Sequence, residues 1–246
     1  MRIRLKEALT KENILAFCRR YKHFRWALLV AVFIVGYLLI EANVSYEAGQ
    51  YWVTDTAIDY KIPFVPWFVI FYYSWFPLLG LTGVFLLFTD ALAFKRYIWA
   101  LMIGMTLSMI FCLLVPNGQD LRLTIPPDAY DSYFGRMVEN LHAFDDNANV
   151  FPSMHVYACV IIVVAWYDCK KARRWYVLAP ITALSVMIVL STLFIRQHAI
   201  IDLYAAFAFA VPMYAFVYVF IKRKQNVRAA RLETPEIEET EHVESD

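Results

Sequence analysis

WFVIFYYSWFPLLGLTGVFLLF, residues Trp67 to Phe88, carries no charged side chain. A helix needs about 20 mostly apolar residues to cross the hydrocarbon core of a bilayer. Text of this length and purity does not belong to a small water-soluble fold, so it reads as a membrane span. Working outward, five further stretches satisfy the same rule. The six cover roughly residues 26–44, 66–88, 97–115, 150–167, 176–195 and 199–221. The fourth opens on Pro152, Ser153 and His155, and the sixth on His198 and Asp202. Both count as spans because the apolar text that follows is continuous. Composition agrees. Apolar residues make up 61% and charged ones 18%, against roughly 45–50% and 25% in soluble domains. The expected fold class is an all-α membrane protein, a bundle of six transmembrane helices. The many Tyr and Trp residues fit belts at the two membrane interfaces.

Charge then orients the bundle. Nineteen of the 23 Lys and Arg fall in the N-terminal segment, around Lys95 and Arg96, at Lys170 to Arg174, and in the C-terminal tail. Lys61, Arg122, Arg136 and Arg196 are left for the other side. Basic residues accumulate on the cytoplasmic side of a membrane protein. Both termini are therefore expected to be cytoplasmic in an integral, multi-pass protein. The first apolar run begins late, is long, and lacks a small-residue cleavage site, so an uncleaved first span is expected rather than a signal peptide. Cys18, Cys112, Cys159 and Cys169 lie in spans or on the cytoplasmic side, so no disulfide is expected. They form no CxxC, and hence no zinc or redox signature.

Three parts follow. Residues 1–24 form a basic cytoplasmic segment, which reads equally as a surface-lying amphipathic helix or as a solvated flank. Residues 25–222 form the membrane domain. Residues 223–246 form a cytoplasmic tail whose acidic end, LETPEIEETEHVESD, is expected to be disordered. No internal repeat is visible. Two outer loops remain, 45–65 and 116–149, and a connection as long as the second is more often functional than not. A net charge of +1 says nothing about nucleic acid, and no nucleic-acid partner is expected; the oligomeric state is not legible.

His155 and His198 lie just inside the outer ends of spans four and six. Ionisable groups within spans are costly and point to function. Asp202 follows His198 by four residues, a spacing that shares a helix face. Its carboxylate can accept from one ring nitrogen and leave the other as nucleophile or base. It would also stabilise the positive ring created by phosphoryl capture. Arg122 and Arg196 flank the same face of the membrane, and the planar Arg fork suits phosphate. Pro152-Ser153 opens a helix whose free N–H groups favour an anion. Ser153 adds a hydroxyl, and His155, one turn in, is fit to be a general acid. Ser153 also has a plain reading as a helix cap. Arg122, Ser153, His155, Arg196, His198 and Asp202 come from three regions, yet all fall at the outer side. His142, Asp145 and Asp146 read as loop structure.

FPSMH, Phe151 to His155, and QHAIID, Gln197 to Asp202, together resemble the Pro-Ser-x-His and His-x-x-x-Asp elements of the type-2 phosphatidic acid phosphatase superfamily. The resemblance covers roughly residues 60–221. It implies a six-helix membrane enzyme with an extracytoplasmic site that hydrolyses a lipid phosphate or diphosphate. In it, His198 would form a phosphohistidine, Asp202 would orient it, His155 would protonate the leaving group, and Ser153 would help to bind phosphate. Neither a metal nor a cofactor is implied, and the partners are a lipid phosphate substrate and membrane lipids.

The pattern also departs from that family. Thr192 stands where the later element usually has Arg, and Leu123 rather than Pro follows Arg122, with no Lys opening the first element. Thr192 with Arg196-Gln197-His198 is similar to the branch of inositol phosphorylceramide synthases and sphingomyelin synthases. A lipid phosphotransferase that moves a phospho-headgroup between lipids is therefore the alternative to a phosphatase. Two other classes stay open: a haem protein with His155 and His198 as axial ligands, and a non-catalytic scaffold or transporter.

Overall fold

The computed structural model describes residues 16, 19–43, 51–145 and 147–233. Most of the segment 1–23 read as an amphipathic helix falls outside them, as do Asp146 and the acidic end beyond 233.

A 3₁₀ turn, Lys22–Ala27, leads into α1, Leu28–Asn43. Then follow α2, Val69–Thr89; α3, Ala91–Leu114; α4, Tyr133–Phe144; α5, Met154–Asp168; α6, Trp175–Phe194; and α7, Ile200–Tyr214. The helix runs on from α7 through a π-helical stretch, Ala215–Ile221, into α8, Lys222–Glu233. Among the described residues, five helical stretches are long and apolar enough to cross a membrane: Lys22–Ile40, Pro66–Thr89, Ala91–Leu114, Trp175–Phe194 and Ile200–Val227. The expected fourth span is a shorter apolar helix, α5, of 15 residues.

The break between α2 and α3 sits earlier than the charges suggested. Asp90 ends α2 and caps α3, its carboxylate accepting from the N–H groups of Leu92 at 3.0 Å and Ala93 at 2.9 Å. Lys95 and Arg96, expected in a connection, are therefore helical. Arg96 is buried, and its Nε donates to Asp168 Oδ2 at 2.7 Å.

Helix α5 is the centre of the bundle. Val156, Tyr157, Ala158, Ile161 and Ile162 are all fully buried, and these positions run around the helix rather than along one stripe. A helix that is apolar on every side belongs inside, and α5 packs against α2, α3, α6 and α7. Gly104 on α3 permits the closest approach. A Cβ there would lie 2.0 Å from Tyr157 Cζ, and the Tyr157 hydroxyl donates to Ala100 O at 2.6 Å. Small residues serve helix contact in membranes in this way. Helix α1 is the opposite case. Val32, Val35, Leu38 and Leu39 are each more than half exposed, as a lipid-facing helix requires.

The two loops expected on the outer side are built, not loose. Trp52–Val53 (β1) pairs in parallel with Asn117–Gly118 (β2), Trp52 opposite Asn117. Asn117 Oδ1 also accepts from Phe151 N–H at 2.7 Å, which ties the entry to α5 to the same point. Within 116–149, Ser132 caps α4 by accepting from Gly135 N–H at 2.9 Å. Val138 and Leu141 of α4 then pack on Val69 and Tyr72 of α2 and on Ile195. The second outer loop thus carries a helix laid over the ends of α2 and α6, and His198 follows three residues after Ile195.

Candidate active site

The turn after α6 sets the first histidine. Arg196 adopts φ 57°, a left-handed conformation rare for a residue with a Cβ. The reversal lets the N–H groups of Gln197 and His198 both donate to Thr192 O, at 2.8 and 3.1 Å. Helix α7 begins at Ile200, so His198 stands just before it. Asp202, in the first turn, reaches back. Its Oδ2 accepts from Ala199 N–H at 2.8 Å and lies 3.3 Å from His198 Nδ1. The pairing expected along one helix face is present, but across the helix cap. Nε2 is left as the nitrogen free for chemistry. Asp202 is fully buried, and its Oδ1 has no hydrogen-bond partner among the described residues.

A second carboxylate holds the same helix end. Asp59, from the first outer loop, accepts from Ile200 N–H at 2.7 Å through Oδ1. Its Oδ2 accepts from Thr56 N–H at 2.7 Å and the Thr56 hydroxyl at 2.6 Å. Two anions at one helix N-terminus are favoured by its unpaired N–H groups and dipole.

His155 sits in the first turn of α5. Ser153 caps that turn by accepting from Val156 N–H at 3.3 Å, and Ser153 N–H lies 3.3 Å from Asp202 O. The two sequence elements therefore touch through backbone. The His155 ring lies against Tyr72 and Trp75, with ring centroids at 4.6 and 4.4 Å, and 5.8 Å from the ring of His198. Its Nε2 is buried without a partner among the described residues. Both histidines line a cavity of about 40 Å³, with Asp145, Asn149, Met154, Gln197 and, from α1, Tyr37.

The other expected residues stand farther back. Arg122 donates to Asp145 O at 2.7 Å and to Gln197 Oε1, so it reaches the cavity wall through one intervening side chain. Arg196 donates to Leu121 O at 3.0 Å and to the Thr124 hydroxyl, and neither it nor Ser153 lines the cavity. The fold thus brings His155, His198 and Asp202 together, sets Arg122 one side chain away, and gives Arg196 and Ser153 contacts within the protein.

Four groups that sequence reasoning passed over complete the site. Gln197 Nε2 donates to Asp145 Oδ2 at 2.7 Å and to the Tyr72 oxygen at 3.2 Å, and the Tyr72 hydroxyl donates to the same Asp145 oxygen at 2.8 Å. Gln197 lies inside QHAIID, which was a signal. Asp145 was read as loop structure and Tyr72 gave no signal, since only folding joins them, and Asp59 gave none beyond its position in the 45–65 loop. His142 is a clip on this wall: Nε2 donates to Ile195 O at 2.9 Å, and Nδ1 faces the Tyr130 hydroxyl at 3.3 Å. Burial first, and the Arg122 guanidinium second, push its imidazole down to about 3, so it is neutral.

No group of three or more His, Cys, Asp or Glu among the described residues is placed to hold a metal ion. No family model, no curated protein and no solved structure matches this chain. What the site offers rests on its geometry. One imidazole is oriented by a buried carboxylate, and a second lies across a small cavity, its ring packed on two aromatics.

Proposed function

We propose that this protein is a membrane phosphatase acting on a lipid phosphate or diphosphate through a phosphohistidine. The observation that carries the reading is His198, held at Nδ1 by Asp202, facing His155 across a shared cavity with ring centroids 5.8 Å apart. His198 Nε2 attacks phosphorus and the bond from phosphorus to the lipid oxygen breaks. His155 gives that oxygen its proton. Water, deprotonated by the same His155, then attacks phosphorus, the P–N bond breaks, and phosphate leaves. Asp202 stabilises the positively charged ring of the intermediate. Gln197, held by Arg122, Asp145 and Tyr72, fixes the cavity wall beside His198. The cavity of about 40 Å³ suits a phosphoryl group alone. The lipid body lies outside it.

We infer that α5 is the sixth crossing. Fifteen residues span about 22 Å at 1.5 Å per residue, short of the bilayer core, but α5 is enclosed by its neighbours and need not match the lipid. The basic residues at one end of the bundle support cytoplasmic termini and an extracytoplasmic site.

Headgroup transfer between lipids is the second reading. It is favoured by Thr192, which stands where hydrolases of the resembling superfamily carry Arg, so that neither arginine near the site touches the cavity. The test is phosphate release by the purified protein from a panel of lipid phosphates in EDTA, beside His198→Ala. Release that persists in EDTA and disappears in the variant supports hydrolysis. If wild type releases nothing but moves a phospho-headgroup to an added acceptor lipid, the second reading holds. Release unaffected by His198→Ala would refute both.

A further inference from the structure

The end of the bundle opposite the histidines has a cavity that the proposed reaction does not use. It encloses about 370 Å³ and is lined by Val163, Val164, Tyr167 and Asp168 of α5, Arg173, Tyr214, Tyr218 and Lys222. Among the described residues its charges do not balance, and Asp168 is the one carboxylate on the wall. Arg96 holds its Oδ2 from behind and Lys222 its Oδ1, and the Asp168 and Arg96 side chains are each 5% exposed. Two cations thus share one anion. Arg173 adds a third positive charge at the rim, steered by its Nε donating to Tyr167 O at 3.1 Å. A structural lock between helices would account for Arg96, Asp168 and Lys222. It does not account for the remaining positive charge, the open volume, or Tyr218. That side chain is 6% exposed, lines the cavity, and its hydroxyl has no hydrogen-bond partner among the described residues.

We propose that this cleft binds the phosphate headgroup of an anionic membrane lipid. Arg173 and Lys222 meet the phosphate as charge-assisted donors, and the Tyr218 hydroxyl donates from the wall. A phosphate there also supplies the counter-charge that Asp168 divides between two cations, and a partly buried cation lacking one is costly. Two features select a lipid over free phosphate. Val163, Val164 and Tyr214 give the cavity an apolar side. Beyond it, Phe207, Val211 and Tyr214 of α7 are exposed at helical spacing, 45%, 67% and 46%, a stripe along which an acyl chain can lie. The π-helical turn Ala215–Ile221, which contributes Tyr218, is a geometry common where helices form binding sites.

The test is native mass spectrometry of the full chain in neutral detergent, titrated with phosphatidylglycerol or phosphatidylcholine. Wild type should hold one phosphatidylglycerol more tightly than phosphatidylcholine. Arg173→Gln, on an exposed residue, should weaken this roughly tenfold, the scale of one charge-assisted contact. Val164→Trp should weaken it by filling the cleft without touching a charge. His198→Ala should leave it unchanged, which separates this site from the proposed catalytic one. Equal retention of the two lipids, or retention untouched by both cleft variants, overturns the proposal. Complete displacement of phosphatidylglycerol by inorganic phosphate would make this a free-anion site and overturn the lipid assignment.

Discussion

The proposed reaction uses both nitrogens of His198, and in the structure Nδ1 lies 3.3 Å from Asp202 Oδ2. Asn in place of that carboxylate keeps an oxygen at the same reach but removes the negative charge that stabilises a phosphorylated ring. Asp202→Asn should therefore lower kcat by roughly 10²–10⁴-fold while moving KM little, as steady-state kinetics on the identified substrate will show. His142 predicts a pH effect of definite sign. Its imidazole has an ordinary value of 6.5 and is held down to about 3 in the folded protein. Between those values the unfolded chain binds the extra proton. Stability therefore falls as pH drops from about 6.5 toward 3, and is regained as pH rises. His142→Gln, which can donate to Ile195 O and accept from Tyr130 without titrating, should flatten the dependence of Tm on pH over that window. At this scale the histidines and Asp202 were legible because an ionisable residue inside apolar text has few innocent explanations. Gln197, Asp145 and Tyr72 form one hydrogen-bonded set, but 52 and 125 positions separate Gln197 from its two partners. No local pattern announces such a meeting.

The elements place the residues through their ends. Ser153 starts α5, Asp202 and Asp59 together start α7, and Asp90 starts α3. Asp59→Ala removes the acceptor for Ile200 N–H and the anchor of the first outer loop. It should cost about 1 kcal/mol of stability, the usual scale of a lost cap. It should also lower kcat, since His198 stands immediately before the end that Asp59 holds. Thermal unfolding in detergent and turnover of the same preparation measure the two effects. Apolar length predicted the long helices well because lipid imposes it. It misjudged two boundaries for physical reasons. Arg96 looked like a loop charge because sequence does not show Asp168 waiting across the bundle. Helix α5 starts later than the apolar text because Ser153 caps it, accepting from Val156 N–H.

For the whole molecule, the two polar ends have different characters. One carries the histidines under a roof of paired strands and α4. The other carries Arg96, Asp168 and Lys222 beside a wider cleft. The charge rule predicts that the histidine end faces away from the cytoplasm. Cys112, Cys159 and Cys169 are buried, so single introduced cysteines should report with little background once Cys18 is replaced. In intact cells, a membrane-impermeant maleimide should label Asp128→Cys in the second outer loop and leave Lys171→Cys unlabelled. The reverse pattern would invert the topology and remove the extracytoplasmic site. Charge asymmetry, which acts loop by loop, gives the sequence an expected orientation for the bundle. It could not foresee that the two outer loops pair with each other at Trp52 and Asn117, since two-residue strands leave no periodic trace.

The central claim is a covalent phosphoryl group on His198, and trapping that adduct tests it most directly. Purified wild type, mixed with a ³²P-labelled lipid phosphate and quenched in alkali, should carry a base-stable, acid-labile label, and His198→Ala should carry none. Turnover by wild type without any such label, or labelling that survives His198→Ala, would contradict the account.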